Sequence, residues 1–270
     1  MVSKTYVRFV ILTGMWDPGT YLRYADERSR PFFDLLARVD HDDPRAVVDL
    51  GCGPGTLTRE LARRWPRARA RITGLDSSAE MIDAAHAQPS TVDFTVLDAR
   101  DWHAAPDVDV VICNAVLQWV PGHRDLLRRW IEELGTGAVF AFQVPGNFAS
   151  PSHRAIHEVA ADFGEALAGV LRDDPVAEPA DYAGDLLDLG CRVDAWETTY
   201  LHVLTATDTT HPVLSWVEGT ALRPVRAALD DIAWRRFRDD LTVRLNRHYP
   251  IHNGRTIFPF RRIFVVATKA

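Results

Sequence analysis

Ala46-Val47-Val48-Asp49-Leu50-Gly51-Cys52-Gly53-Pro54-Gly55-Thr56 is the stretch whose reading decides the fold. A short apolar run is followed by an acid, then by three glycines at alternate positions, then by a segment of helical character. The apolar run reads as a strand buried on both faces of a parallel sheet. The glycines allow a sharp turn and a close approach of backbone to ligand, and Thr56 is placed to cap the following helix. A dinucleotide fingerprint has G-x-G-x-x-G with its acid about twenty residues further on. Here the spacing is G-x-G-x-G, and the acid, Asp49, already stands at the strand end, so no pyrophosphate needs cradling.

Outward from this turn, strands and helices alternate. Residues 56–65 are predicted helical, residues 71–75 form a second strand ended by Asp76, and Ser77 with Glu80 gives a capping-box signal for a helix carrying Met81. Residues 92–97 and 108–113 are a third and a fourth strand, ended by Asp98 and Asn114, and a helix over 124–134 leads to a fifth strand at 138–144. Upstream, residues 18–39 read as a helix with Asp17 as cap and Pro18 in its first turn, and Tyr21, Tyr24 and Arg28 share one face. This alternation predicts right-handed crossovers and a parallel sheet whose ligands bind beyond the carboxyl ends of the strands. After residue 145 the order breaks. Residues 148–190 and 208–250 read as two helical insertions forming a cap, and residues 193–204 and 256–268 as late strands at the far edge of the sheet. The expectation is one α/β domain over 15–270, Rossmann-like and doubly wound, with a mostly parallel seven-stranded sheet and a helical cap. Met15 is itself a candidate start, which makes residues 1–14 an extension.

Composition narrows the partners. The 270 residues are 47% hydrophobic with a net charge of -6, which argues against nucleic acid, since phosphate contacts require a basic face. The basic residues are almost all arginine, with lysine only at positions 4 and 269. Cys52, Cys113 and Cys191 lie far apart with no C-x-x-C pair, which disfavours a disulfide framework and fits a cytoplasmic chain. The apolar segment at 6–12 is too short to span a bilayer, so no membrane association is expected. His153, His157 and Glu158 have the spacing of a helical metal pair with a following acid, but no third ligand accompanies them and no metal is expected.

Three acids at three consecutive strand ends after a glycine turn point to a nucleoside site. Each acid alone is more commonly a helix cap or a loop charge. Asp76 is placed to accept both hydroxyls of a ribose. Asp98-Ala99, with Trp102 nearby, is placed to meet an adenine ring, and Asn114 to accept from an ammonium group. With its flanks, Asp49 to Gly55 resembles the first motif of the class I S-adenosylmethionine-dependent methyltransferases, in which the strand-end acid helps hold the amino acid part of the cofactor. A narrower resemblance is carried by Trp16-Asp17-Pro18, Tyr21-Leu22, Glu27-Arg28-Ser29-Arg30-Pro31, Gly74-Leu75-Asp76-Ser77-Ser78, Asn114-Ala115-Val116-Leu117-Gln118-Trp119, Gln143-Val144-Pro145 with Asn147, Leu222-Arg223-Pro224 and Arg262. These segments are similar to the trans-aconitate 2-methyltransferase family and cover nearly everything after Met15. The resemblance implies S-adenosylmethionine as cofactor, S-adenosylhomocysteine as product, and methylation of one carboxylate of a small polycarboxylate. The cofactor residues it implies are Asp49, Gly51, Cys52, Gly53, Gly55, Asp76, Ser77, Met81, Asp98, Ala99, Asn114 and Leu117.

A carboxylate of pKa about 4 is already ionised at neutral pH, so its oxygen needs no general base and no catalytic side chain is expected. Gln118, Trp119 and His123, after the fourth strand, are candidates for positioning the acceptor. The non-reacting carboxylates call for bidentate arginines, and the candidates are Arg28, Arg30, Arg223 and Arg262, each with a surface salt bridge as its alternative. Tyr21, Tyr24, Gln143 and Asn147 are candidate donors, and Trp216 is either an apolar wall of the cap or a plain core residue. Two rival readings stand beside this one: a methyltransferase of another small molecule with His123 as base, and a nucleoside-binding protein without turnover.

Overall fold

The computed structural model describes residues 25–65, 70–172, 175–207 and 210–270, with side chains from residue 29 onward. The opening helix is described as α1, Ala25–Leu36, with Pro31 inside it. Tyr21, Tyr24 and the side chain of Arg28 lie outside the described residues.

The first half alternates as the apolar runs predict. The elements are β1 (Ala46–Leu50), α2 (Thr58–Arg64), β2 (Arg71–Asp76), α3 (Ala79–His86), β3 (Asp93–Val96), β4 (Val108–Asn114), α4 (His123–Glu133) and β5 (Val139–Pro145). The second half contributes α5 (Pro151–Ala161), α6 (Pro179–Leu187), β6 (Cys191–Thr205), α7 (Pro212–Glu218), α8 (Arg223–Ala228), α9 (Asp231–His248) and β7 (Arg255–Lys269). Seven strands form one sheet in the order β3-β2-β1-β4-β5-β7-β6. The first five are parallel, β7 runs antiparallel against β5, and β6 pairs antiparallel with β7 over its whole length. Every residue of β1 is buried, as a strand covered on both faces requires.

Two apolar layers cover the sheet. One packs α1, α2 and α3 residues such as Phe32, Leu61 and Ile82 against Val47, Val110, Ala141 and Phe264. The other packs Trp130 of α4 with Tyr182 and Leu186 of α6 against Val111, Phe140, Phe142 and Val265. A third core belongs to the cap. It gathers Ile156 and Val159 of α5, Trp216 of α7, Val225 of α8 and Phe237 and Leu241 of α9 around Phe258 and Phe260 of β7. The insertion read from sequence as one block at 148–190 therefore divides. Its α5 joins the cap, while α6 packs on the sheet, because Tyr182 and Leu186 present their apolar face to β5 and β7. Among the described residues, no helix is long and apolar enough to cross a membrane.

Two helix starts differ from expectation by one or two residues. Thr56 does not cap α2; Leu57 occupies that position without a side-chain bond, and the Thr58 hydroxyl instead donates to Asp49 at 2.6 Å. The cap of α3 is Ser78, whose hydroxyl accepts from Met81 N, and Glu80 bonds the same hydroxyl. Ser77 is left exposed at the mouth of the turn.

The glycine turn is stereochemically demanding at Gly51. Its φ is +77°, and a Cβ there would lie 2.1 Å from Val116 Cγ2. Left-handed backbone costs an L-residue about 1–2 kcal/mol before any collision. Gly51→Ala should therefore lower unfolding stability by roughly 2 kcal/mol or more in a urea titration, and adding Val116→Ala should restore only the collision part. An unchanged urea midpoint for Gly51→Ala would contradict this reading of the turn.

Candidate functional site

The carboxyl ends of β1, β2, β4 and β5 converge on the glycine turn. Gly51 N and Cys52 N both donate to Leu75 O, at 2.7 and 2.9 Å, which folds the turn across the end of β2. Gly55, at φ +73°, is pressed against Phe94, so the turn has no room for a larger residue there either. Cys52 is buried, and burial together with Asp49 and Asp76 raises its thiol pKa, so it serves as a small packing group and not as a thiolate.

Two carboxylates flank the turn in different states. Asp49 is buried, with the Thr58 hydroxyl on Oδ2, and burial raises its pKa to about 7 against the opposing Thr58 bond. Asp76 accepts Gly53 N on Oδ2 and Ser78 N on Oδ1, each at 2.9 Å. Burial raises its pKa and the two backbone donors lower it. Each Asp76 oxygen keeps a lone pair for a further donor, which suits the vicinal hydroxyls of a ribose. Met81 is buried beneath this turn.

Asp98 is committed elsewhere. It caps the short 3-10 turn Ala99–Asp101 by accepting from Arg100 N, and its two oxygens take the Arg100 guanidinium at 2.6 and 3.0 Å. This pair lowers the Asp98 pKa. The helix-cap alternative describes Asp98, while Ala99 remains half-buried beside it. Trp102 is buried edge-on against Trp130 and is part of the core.

At the ends of β4 and β5 a buried polar chain runs toward the cap. Arg262 on β7 donates to Gln143 Oε1 at 3.3 Å, and Gln143 Nε2 donates to Asn114 Oδ1 at 2.7 Å. Ala115 next to it has φ 58°, an uncommon conformation for a non-glycine residue, and its N–H is held by Gln143 O at 2.9 Å. Leu117 and Gln118 are buried in the following 3-10 turn, and Trp119 is 44% exposed. Gln118 Nε2 donates to Ala115 O, its backbone oxygen accepts the half-buried guanidinium of Arg172, and its Oε1 is buried without a partner among the described residues. An acceptor with nothing to accept, beside the strand ends, fits a ligand that brings its own N–H groups.

His123 is not available as a base. Its Nδ1 lies 3.2 Å from Val120 O, and its Nε2 lies 2.7 Å from the Tyr182 hydroxyl, which itself accepts Ala177 N. A neutral ring with the proton on Nδ1 satisfies both contacts, and burial, which lowers its pKa, favours that form. Both nitrogens are committed to the protein, so the ring ties α4 to α6.

The remaining candidates lie on the cap side. Arg262 is 7% exposed with its guanidinium over Phe260 at 4.6 Å. Arg30 is exposed, ion-paired to Asp34 and placed over the Tyr200 ring at 5.0 Å. Arg223 opens α8, half-buried, and burial lowers its pKa. Trp216 is fully buried in the cap core, stacked on His202 at 4.8 Å. Asn147 is buried with Oδ1 accepting Arg261 N at 2.7 Å. It lines a separate cavity of about 620 Å³ with Thr199, Pro259 and Arg261, residues on the opposite face of the β6–β7 hairpin from Arg262. Thr58, Arg172, Tyr182, Tyr200 and His202 belong to this constellation without any motif to announce them. For Tyr200 and His202 the only signal is alternation, since they are buried between exposed Leu201 and Val203.

A methyltransferase domain family matches residues 47–137. The chain is similar to the trans-aconitate 2-methyltransferase of Mycolicibacterium gilvum, at 54% identity over 260 residues, covering 94% of this chain and 98% of that one. It is similar to the protein of the same name from Mycobacterium tuberculosis at 52% identity, covering 94% and 96%. Among solved structures, it shares its fold with phosphoethanolamine N-methyltransferase 2 of Haemonchus contortus in complex with phosphomonomethylethanolamine and S-adenosylhomocysteine. The TM-score is 0.52 at 14% identity, covering 89% of this chain and 52% of that one.

Asp49 makes a testable contribution to pH dependence. Its folded pKa of about 7 stands above its ordinary value of 3.8, so the folded state binds the extra proton between those values. Stability from this group is therefore present at the acidic end and lost as pH rises through that window. Asp49→Asn should be more stable than the parent at mildly alkaline pH, and this advantage should shrink on acidification, as read by thermal midpoints of the ligand-free protein. A difference independent of pH would contradict the assignment.

Proposed function

The chain belongs to the trans-aconitate 2-methyltransferase family, and from that premise we propose that it transfers the methyl group of S-adenosylmethionine to one carboxylate of trans-aconitate. The products are the monomethyl ester and S-adenosylhomocysteine. The observation that carries this reading in the geometry is the buried Arg262–Gln143–Asn114 chain. It fixes a buried guanidinium on β7 at the end of β5, three strands along the sheet from β1 and its glycine turn, and the fork of a guanidinium matches a carboxylate bidentately.

Bound adenosylmethionine supplies an electrophilic methyl carbon on a sulfonium. The residues that fit it are the Gly51, Gly53 and Gly55 turn with Cys52, the carboxylates of Asp49 and Asp76, Ser77 and Met81 at the same mouth, Ala99 and Leu117 as apolar walls, and Asn114. Gln118 Oε1, an acceptor without a partner, adds a place for an ammonium N–H. Asp98 contributes through the shape of its capped turn. None of these groups exchanges a proton with the acceptor, because a carboxylate oxygen is ionised at neutral pH.

What the protein must supply is orientation. Arg262 takes a non-reacting carboxylate, Arg223 and Arg30 are the further cations at the rim, and Trp216 and Phe260 form an apolar wall. Holding the acid by its other carboxylates leaves the attacking oxygen unneutralised and turns an encounter of two molecules into an in-line displacement at fixed distance. His123, held between Val120 and Tyr182, ties α4 to α6 and takes no proton. Both ligands are small diffusible metabolites, and the reading places the enzyme in the cytoplasm.

The test is incubation with labelled adenosylmethionine and a panel of di- and tricarboxylates, with esters detected by mass. A monomethyl ester of trans-aconitate is expected; no ester from any aconitate isomer would overturn the proposal. Arg262→Ala should raise the KM for the acid by about tenfold or more while the KM for adenosylmethionine moves by less than about twofold. Equal loss of both would mean that Arg262 serves the cofactor end.

A further inference from the structure

His202 is the buried polar group that nothing so far explains. It lies on β6, paired with Phe258 of β7, on the face that also carries Tyr200, Phe260 and Arg262. It is 7% exposed, and among the described residues neither ring nitrogen has a hydrogen-bond partner. Its surroundings are aromatic: Trp216 stacked at 4.8 Å, Phe260 at 5.8 Å and Tyr200 at 6.3 Å between ring centroids. A phenyl ring would fill that space without leaving polar atoms unsatisfied, so packing alone does not account for an imidazole here.

The charges that act on it are guanidinium groups, and Asp34 of α1, beyond Tyr200, is ion-paired to one of them, Arg30. Arg262 from β7 lies over Phe260, and Arg30 from α1 lies over Tyr200, so each guanidinium is one ring away from the imidazole. The Tyr200 hydroxyl turns away to donate to Asp34 of α1 at 2.6 Å, and its own pKa is raised, first by burial and then by that bond. From α7 the facing group is Trp216, since Glu218 on the same helix is paired with Arg238 of α9. Guanidinium groups set against low-dielectric aromatic walls raise the local concentration of anions.

We propose that His202 is a substrate-binding residue: a non-reacting carboxylate of the polyacid docks on its ring, and the imidazole takes up a proton as the acid binds. This rests on the reading of the protein as a polycarboxylate methyltransferase. Before the acid arrives, burial, then Arg262 and Arg30, hold the ring near a pKa of about 4, so it is neutral at physiological pH. A carboxylate brought against it opposes the field of the guanidinium groups and raises that pKa. One proton from solvent then moves onto the ring, and no bond to the acid is made or broken. Affinity for the acid should therefore strengthen as pH falls from neutral, while a clamp made of arginines alone would be flat over the same range. The division of labour follows from the layout: Arg262, nearest the strand ends, holds one carboxylate, His202, farther into the cap, holds the other, and the third is left for methylation.

The experiment titrates trans-aconitate calorimetrically into the full chain saturated with S-adenosylhomocysteine, in two buffers of different ionisation enthalpy at slightly acidic pH, alongside steady-state methylation. The parent protein should take up at least half a proton per acid bound. His202→Gln, and His202→Phe, which keeps the ring packing, should abolish that uptake. Both should raise the KM for the acid by about tenfold while kcat and the KM for adenosylmethionine move by less than about twofold. No proton uptake by the parent, uptake persisting in His202→Gln, or an unchanged KM in His202→Phe would each overturn the inference while ester formation stands. A parent that binds the cofactor but neither binds nor methylates trans-aconitate would instead remove the functional reading, and the inference with it.

Discussion

The arrangement depends on the long antiparallel pairing of β6 and β7. Only the second half of β7, Arg262 to Thr268, pairs with β5 inside the sheet; the first half runs on with β6 past the strand ends. The projecting hairpin gives the cap helices a surface to pack on, through Phe258 and Phe260. It also carries side chains of one parity continuously from the sheet into the cap. Arg262 can thus touch Gln143 at the end of β5 while Phe260 and Phe258, two and four positions earlier, lie in the cap core.

This explains why the polar groups of the site differ so much in character. Those at the glycine turn are backbone amides and carboxylates, matched to a ligand with hydroxyl and ammonium donors. Those along the hairpin are guanidinium groups and an imidazole separated by aromatic rings. The rings keep the cations apart, so that their mutual repulsion is limited. Surface ion pairs elsewhere, such as Arg124 with Asp185 and Arg45 with Asp109, are largely exposed on the arginine side and contribute little beyond local order. Arg261, one residue from Arg262 and on the other face, bridges Glu178 before α6 and Glu197 on β6. Adjacent arginines thus have unrelated tasks because a strand sends them to opposite sides.

Most of the sheet was legible in the sequence, because each parallel strand is a short apolar run closed by a polar residue at the ligand-binding edge. Asp49, Asp76, Asn114 and Gln143 could be placed by that rule alone. Helix starts were legible only to within a residue or two, since neighbouring hydroxyls such as Ser77 and Ser78 compete for the same cap. The placement of α6 was not legible: an amphipathic helix shows which of its faces is buried but not which side of the sheet receives it. His123 misleads for a related reason. Its position after the fourth strand suggests reaction chemistry, and what neutralises that suggestion is Tyr182, contributed by a distant helix. Tyr200 and His202 sit in a segment that announces a strand and nothing more, since their importance arises from partners on α1, α7 and β7.

The continuity of the hairpin also bears on how the molecule comes apart. A lid joined to its body by loops can swing about them as a unit and melt separately. Here fifteen residues of β6 and fifteen of β7 belong to sheet and cap at once, without interruption. Separating the two would mean breaking the ladder itself. Sheet and cap therefore share one cooperative fate.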